Sequence, residues 1–452
     1  MNSIFEPNDH IVAQMKTIWR KEFPGTTPSV VGRAPGRLTL IGDHIDYSGF
    51  ASLMMATQGR FTTAMIAESD THFIRMRNLD PQFPPSNLPI DPIMAEEAID
   101  NNSDDDDNNN SNSQEGNPDD NFRNKIKECN QSSRSHHQNG QKKIKMNGEG
   151  WSLFVEGAVR AFASKTHKKF NGIDLLITNS VPISSGLSSS GAILCAIVAA
   201  LNELAETNLS KQDLIQIAID AEHTAGFMTG GMDQNATFLA KKGFACLVSF
   251  NPPSVRPIKL PPAKFVVAHC GVSNSKIDNP LNAYNQRLKE VTRCAELMKS
   301  GCKTIREVVL AVGIDEALNL ANLLPEHEGD LVLRDRAIHV LEESTRVKAF
   351  CTSELAKWGK LMDDSHESLR DLYNCSCPEM DSLIDAGMRC GAMGARITGS
   401  GWGGCAQFLL NSTQDPEPFI HQLLHEYFET RRIKNPIVFS TYPGPGADSM
   451  KI

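Results

Sequence analysis

An α+β fold in two domains is what this 452-residue sequence predicts, and three observations carry the expectation. The length exceeds what one hydrophobic core usually organises, and a 40% hydrophobic content is enough to fill two. Helical periodicity and short β-rich stretches alternate along the chain instead of segregating. The segment Val181-Pro182-Ile183-Ser184-Ser185-Gly186-Leu187-Ser188-Ser189-Ser190-Gly191-Ala192 runs straight into the apolar stretch Ile193 to Leu201. Such a loop presents hydroxyls, free N–H groups and the positive end of a helix dipole, which together cradle a phosphate.

The elements follow in order. Asn8 to Phe23 reads as a helix, stopped by Pro24-Gly25. A strand follows into the Arg33 segment, and Ala51 to Ala56 and Phe61 to Glu68 read as helix or strand. Between about Asp100 and Asn147 the chain turns to Asn, Asp, Ser, Gln and Lys, a composition that cannot bury enough apolar surface to offset its ordering entropy, so a disordered insertion is expected. Order resumes at Trp151 with a helix to about Ala163. After the phosphate cradle come a helix over Leu214 to Glu222 and β-rich stretches over Phe244 to Phe250 and Lys264 to Cys270. Helical periodicity then covers Asn282 to Met298, Asp315 to Leu323, Val332 to Trp358 and Met380 to Cys390. Arg396 to Leu409, a helix over Glu417 to Thr430 and a last strand close the chain. The expected domains are 1–230 and 231–452.

Charge narrows the function classes. Forty-five basic and 54 acidic side chains give a net charge of −9, the wrong sign for a nucleic-acid or anionic-membrane partner. No signal peptide is apparent at Met1-Asn2-Ser3-Ile4-Phe5-Glu6, and Gly191 to Leu201 is too short to span a bilayer. The 11 cysteines are odd in number and show no C-x-x-C pair, which favours reduced thiols in a cytoplasmic protein.

Three further segments give the cradle its context. Val31 to Gly49 contains Arg37 and Asp43-His44-Ile45-Asp46-Tyr47, Glu222-His223 leads to Gly230-Gly231-Met232-Asp233-Gln234, and Gly394 to Cys405 contains Gly399-Ser400-Gly401-Trp402-Gly403-Gly404. Two carboxylates and an imidazole within four residues can read several sugar hydroxyls. No Walker sequence is present. In this order and at these separations the segments resemble the GHMP small-molecule kinases, and within them the galactokinase family. The resemblance covers nearly the whole chain outside residues 90 to 150 and includes Ala283-Tyr284-Asn285-Gln286-Arg287, Arg336 to Val340 and Ser365 to Tyr373.

What the resemblance implies is an active site in the cleft between an N-terminal domain and a ferredoxin-like C-terminal one. It implies ATP-dependent phosphorylation of the anomeric hydroxyl of galactose, with Mg²⁺. Asp233 takes or orients the hydroxyl proton, and Arg37 stabilises the developing charge. Asp43, His44, Asp46, Gly231 and Tyr284 bind the sugar. Gly186, Leu187, Ser188, Ser189 and Ser190 hold the nucleotide, and Ser190 or a neighbouring hydroxyl joins Asp233 on the metal. A cytoplasmic monomer is expected.

Asp43 stands where the family usually has Glu, Thr39 where it has Asn, Gly191 where Ser or Ala is common, and Ser400 where Gly or Ala is common. Replacing Glu by Asp retracts a carboxylate by about 1.5 Å. Wording such as Asn374-Cys375-Ser376-Cys377-Pro378 resembles the N-acetylgalactosamine kinase branch, so N-acetylgalactosamine is the alternative substrate, with a non-catalytic sugar and ATP sensor or an L-arabinose kinase behind it. Tyr284 favours galactose, because a phenol there fills space that a C2 acetamido group needs.

Overall fold

The structure is a computed structural model that describes residues 3–6, 9–95, 150–226, 230–250, 253–273 and 280–452. The Asn/Asp-rich insertion expected at about 100–147 lies outside the described residues. Fourteen strands build two main sheets and a short hairpin among the described residues. The larger sheet takes β1 (Val30–Ile41), β2 (Ser52–Glu68), β3 (Phe73–Asn78), β4 (Ser86–Pro89), β5 (Ile173–Asn179), β6 (Phe244–Phe250) and β7 (Pro253–Lys259). The smaller sheet starts with β8 (Lys264–His269), and β9 (His327–Glu328) with β10 (Leu331–Val332) is the hairpin. Then β11 (Gly394–Ile397), β12 (Cys405–Leu410) and β13 (Val438–Thr441) complete the smaller sheet, while β14 (Asp448–Lys451) returns to the larger one.

Strand β2 explains the larger sheet's shape. The two stretches read separately from sequence are one 17-residue strand. Its second half, Thr62 to Glu68, pairs antiparallel with β5, and its first half, Ser52 to Met54, pairs with β6. The order is β14-β1-β2-β5-β3-β4, with β6 and β7 beside the far end of β2, and only β3 against β5 is parallel. The smaller sheet runs β11-β12-β8-β13, all antiparallel. Because β6, β7 and β14 join the larger sheet, the sheets do not divide the chain at residue 230. The larger one keeps the chain to Lys259 and recovers its last strand.

All 12 residues of β1 are buried, so the strand reads as continuous rather than alternating. On one side lies the helix His10–Glu22, started by Asp9, whose carboxylate accepts from the Ile11 and Val12 N–H groups at 3.1 Å, and Met15 and Trp19 pack with Val31 and Met65. On the other lies the helix Ser189–Ala205, with every residue from Gly191 to Leu201 buried. The C-terminal end of β1 changes company. Leu38, Leu40 and Ile41 share one core with Phe265, Val267, Ile397 and Phe408 of the smaller sheet, so β1 carries the chain from one sheet's core into the other's and leaves Arg37 at the junction.

Among the described residues, no helix is long and apolar enough to cross a membrane. The expected helix over Val332 to Trp358 is two, Arg334–Thr352 and Leu355–Glu367, broken where Ser353 turns extended. A helix absent from the sequence reading, Ile305–Val312, opens on a capping box in which Thr304 and Glu307 satisfy each other's backbone N–H groups.

Candidate active site

Arg37 and Asp233 are 196 positions apart and meet directly. Arg37 Nε donates to Asp233 Oδ1 at 2.6 Å and Nη2 to Oδ2 at 3.2 Å, a bidentate pair. Nη1 donates to the Gly186 carbonyl, so one guanidinium spans the carboxylate and the phosphate cradle. Burial works against the charge on Arg37, and the adjacent Asp233, Asp43 and Asp46 carboxylates more than restore it, raising its pKa. Asp233 lies in the first turn of the helix Met232–Leu239, where the dipole favours a carboxylate. Gly231 caps that helix at φ 76°, and a side chain there would strike Ile219.

The cradle is where backbones must touch. Gly186 has φ 78° and Gly399 φ 80°, and a Cβ on Gly186 would stand 2.4 Å from the Thr398 carbonyl oxygen, one on Gly399 2.6 Å from Gly186 Cα. The glycine loop between β11 and β12 thus lies flat against the cradle, and Cys405 N donates to Ser185 O at 2.9 Å. Leu187 contributes backbone only: its side chain is in the core and its carbonyl accepts from Arg37 N at 3.0 Å. The hydroxyls differ. Ser189 Oγ accepts from Asn179 Nδ2 at 2.9 Å, Ser190 sits half-buried in the helix's first turn, and Ser188 Oγ is buried without a hydrogen-bond partner. A Cβ on Gly191 would meet Ser188 Oγ at 2.4 Å and Asp233 Cβ at 3.4 Å, so the missing side chain at Gly191 leaves the room in which that hydroxyl sits beside Asp233.

The loop after β1 gathers Asp43, His44 and Asp46 beside this pair. Burial first, then nearby carboxylates, push the Asp46 carboxyl up to about 6. Tyr284, on the helix Pro280–Met298, brings its ring to 5.3 Å from Tyr47 and 6.0 Å from His44, and burial with Asp46 nearby lifts its phenol well above the usual range. His44 has φ 64° and both ring nitrogens in contact, Nδ1 with Tyr47 Oη at 2.9 Å and Nε2 with Ser400 O at 2.9 Å. Burial, together with Arg287 and Arg396, outweighs the Ser400 bond and brings its pKa down to about 4, so the ring is neutral.

Asp43 is turned away from solvent. It is 2% exposed and ion-paired at 2.9 Å with Nη2 of Arg396, itself fully buried, without the alignment of a hydrogen bond. Burial raises its carboxyl to about 6 in spite of Arg396 and Arg37. Arg396 reaches back from β11 to the Thr39 carbonyl at 3.0 Å and Ser365 Oγ at 3.2 Å. Glu343 completes the cluster, accepting from Gly42 N at 2.9 Å, Ser365 Oγ at 2.7 Å and Arg346 Nε at 2.7 Å. Although burial opposes its charge, Arg346 and Arg396 hold its carboxyl down at about 2. Thr39 offers a carbonyl that also accepts from Gln407 Nε2 at 2.6 Å, while its hydroxyl oxygen has no partner.

The structure therefore brings every sequence-predicted site residue to one junction between the sheets. Sequence reasoning did not find Arg396, Glu343, Ser365 or Tyr373 as parts of it, although all four lie in or beside the matched segments. No group of three or more His, Cys, Asp or Glu among the described residues is placed to hold a metal.

Comparison with known proteins bears on this junction. The chain matches the description "GHMP kinases N terminal domain" over residues 153–241, "GHMP kinases C terminal" over 347–430 and "Galactokinase galactose-binding signature" over 18–66. It is 25% identical to the galactokinase of Dictyostelium discoideum over 91% of this chain and 86% of that one, and 26% identical to that of Homo sapiens over 91% of each. The galactokinase of Roseiflexus sp. is 29% identical over 90% of this chain and 89% of its own. Among solved structures, Lactococcus lactis galactokinase complexed with galactose superposes with a TM-score of 0.74 at 21% identity, covering 98% of this chain and all of that one. Methanococcus jannaschii mevalonate kinase reaches 0.58 at 18% identity, covering 93% and 99%. At these identities the two structures speak for the fold.

Proposed function

Because the chain belongs to the GHMP kinases and to their galactokinase branch, we propose that it transfers the γ-phosphoryl group of ATP to the anomeric hydroxyl of galactose. The observation that carries the reading is the guanidinium of Arg37, held between the Asp233 carboxylate and the Gly186 carbonyl of the cradle. In-line transfer needs an acceptor proton removed and charge stabilised at one point between sugar and phosphate. Asp233 takes the proton of the anomeric hydroxyl as its oxygen bonds to the γ-phosphorus, the bond to the bridging oxygen breaks, and its electron pair leaves with ADP. Arg37, positive and desolvated, faces that developing charge.

The residues fit an ion of the Mg²⁺ kind. Ser188 Oγ is a buried oxygen without a partner beside Asp233, and Mg²⁺ takes few protein oxygens and leaves the rest of its coordination to phosphate and water. Asp233 with Ser190 or the neighbouring Ser188 hydroxyl would hold it, and when bound it would neutralise phosphate charge. Gly186 to Ser190 hold the phosphates, and Asp43, His44, Asp46, Gly231 and Tyr284 surround the sugar. Monomeric action in the cytoplasm belongs to the same proposal.

Asp233→Ala tests the roles. Turnover should fall by about 10²-fold or more while galactose affinity by calorimetry stays within a few-fold of the parent. Near-parental kcat would remove Asp233 from the chemistry. Arg37→Ala should likewise lower kcat, and an effect confined to KM would contradict its role.

A further inference from the structure

We propose that Tyr47 and Tyr373 are positioning residues that hold His44 as one tautomer, with its proton on Nε2, and thereby pin the sugar loop to the glycine loop lying against the phosphate cradle. The inference rests on the kinase reading only for the names of the two loops. Its geometry is a chain of three contacts: Tyr373 Oη to Tyr47 Oη at 2.6 Å, Tyr47 Oη to His44 Nδ1 at 2.9 Å, and His44 Nε2 to Ser400 O at 2.9 Å.

The direction of the chain follows from its last member. A carbonyl oxygen only accepts, so Nε2 carries the proton. In the neutral ring Nδ1 is then a lone pair, Tyr47 donates to it, and the Tyr47 oxygen is left to accept from Tyr373. The surroundings keep the ring neutral. His44 faces Arg396 from β11 and Arg287 from the helix Pro280–Met298, both cations. Glu343 and His339 face it from the helix Arg334–Thr352, and Glu343 is already committed to three donors. Asp43 on the same loop is paired with Arg396, and Asp46 is held toward its neutral form by burial.

Tyr373 supplies an independent argument. Its side chain is fully buried, with its ring 4.4 Å from that of His339, a place where phenylalanine would pack equally well unless the hydroxyl were used. Tyr47 is the hydrogen-bond partner of that hydroxyl. His44 also stands at φ 64°, in the left-handed region that non-glycine residues seldom occupy, and the flanking bonds hold it there. Ser400 follows Gly399, which lies on Gly186, so a hold on the Ser400 carbonyl is a hold on the loop against the cradle.

The test uses the full chain with ¹⁵N-labelled histidine, His44 being assigned from its missing signal in His44→Gln. The parent should show His44 as the Nε2–H tautomer, without titration between about pH 5 and 8. Tyr47→Phe should mix the tautomers or bring a titration into that window, and should raise KM for ATP about 3- to 10-fold, the span of one ordinary hydrogen bond, although Tyr47 stands on the sugar loop. Tyr373→Phe should shift both readouts the same way by less, and it carries the test if Tyr47→Phe does not fold. A parental His44 that titrates near 6.5 or carries its proton on Nδ1 would overturn the proposal, as would a rise in KM confined to the sugar. If the enzyme prefers another sugar, the tautomer readout is unaffected, so failure of the kinase reading is separately visible.

Discussion

At the scale of single residues, the site is a set of ionisable groups held away from their solution behaviour by burial. His339 has no exposure, and its Nδ1 contacts Ser368 Oγ at 2.8 Å. Burial brings its pKa down to about 3, from the 6.5 it has in an unfolded chain. The folded state therefore gains full stability from a neutral His339 above about pH 6.5 and loses it as pH falls toward 3, a loss of about 2 kcal/mol at pH 5. Asp43 and Asp46, raised to about 6, run the other way and gain stability as they protonate below that pH. His339→Gln should lower Tm at pH 7 through the lost Ser368 contact, and the gap to the parent should narrow at pH 5. A gap that stays constant between the two pH values would show that His339 is not buried as the neutral form. Arg37 and Asp233 were legible in the sequence because each sits inside a recognisable motif. Arg396, Glu343 and Tyr373 were not, because what they do at the site depends on partners up to 357 positions away that only the fold brings within reach.

Elements were legible where one local rule decides them. The apolar run after the Ser/Gly loop gave the buried helix, and Pro24-Gly25 marked the end of the first one. Strand β2 was ambiguous because residues Gln58 to Phe61 are exposed or half-exposed between two buried stretches, a break in pattern that the pairing with β1 bridges. The π-helical turn Leu424–Glu429 ends a helix that sequence periodicity reads as regular to Thr430, and the π-helical turn Ser368–Leu372 extends a helix that the same periodicity ends at Trp358. The glycine loop and the cradle are a two-element device, since each needs the other's missing side chain. Gly186→Ala should lower kcat/KM for ATP by about tenfold or more, because its Cβ drives the glycine loop off the cradle. Gly59→Ala, at the same φ of 78° with nothing within 4 Å, should cost only backbone strain of about 1 kcal/mol and leave ATP kinetics alone. Equal kinetic defects in the two variants would contradict the close-packing argument.

For the whole molecule, alternating composition predicted the α+β class, yet it could not foresee that the last strand returns to β1 or that β6 and β7 stay with the larger sheet, because strand pairing across hundreds of residues leaves no local mark. That interleaving ties the site to both sheets. β1 runs through both cores, so Arg37, the Asp43 loop and the Thr39 carbonyl are fixed to the small sheet's Arg396 and Gln407 while the helices bearing Ser188 and Asp233 are fixed to the larger one. The substrate is where competing features meet. Tyr284 fills space beside His44 and Tyr47, whereas Asp43 is shorter than the usual Glu and drawn toward Arg396. A lost contact is tolerable and a steric clash is not, so galactose should win. The decisive measurement mixes galactose and N-acetylgalactosamine at equal concentration with Mg²⁺-ATP and the purified protein and follows the products by ³¹P NMR. Galactose 1-phosphate should form first and predominate. Predominant N-acetylgalactosamine 1-phosphate would reverse the substrate ordering, and phosphate on any hydroxyl other than the anomeric one, or no transfer at all, would contradict the kinase account itself.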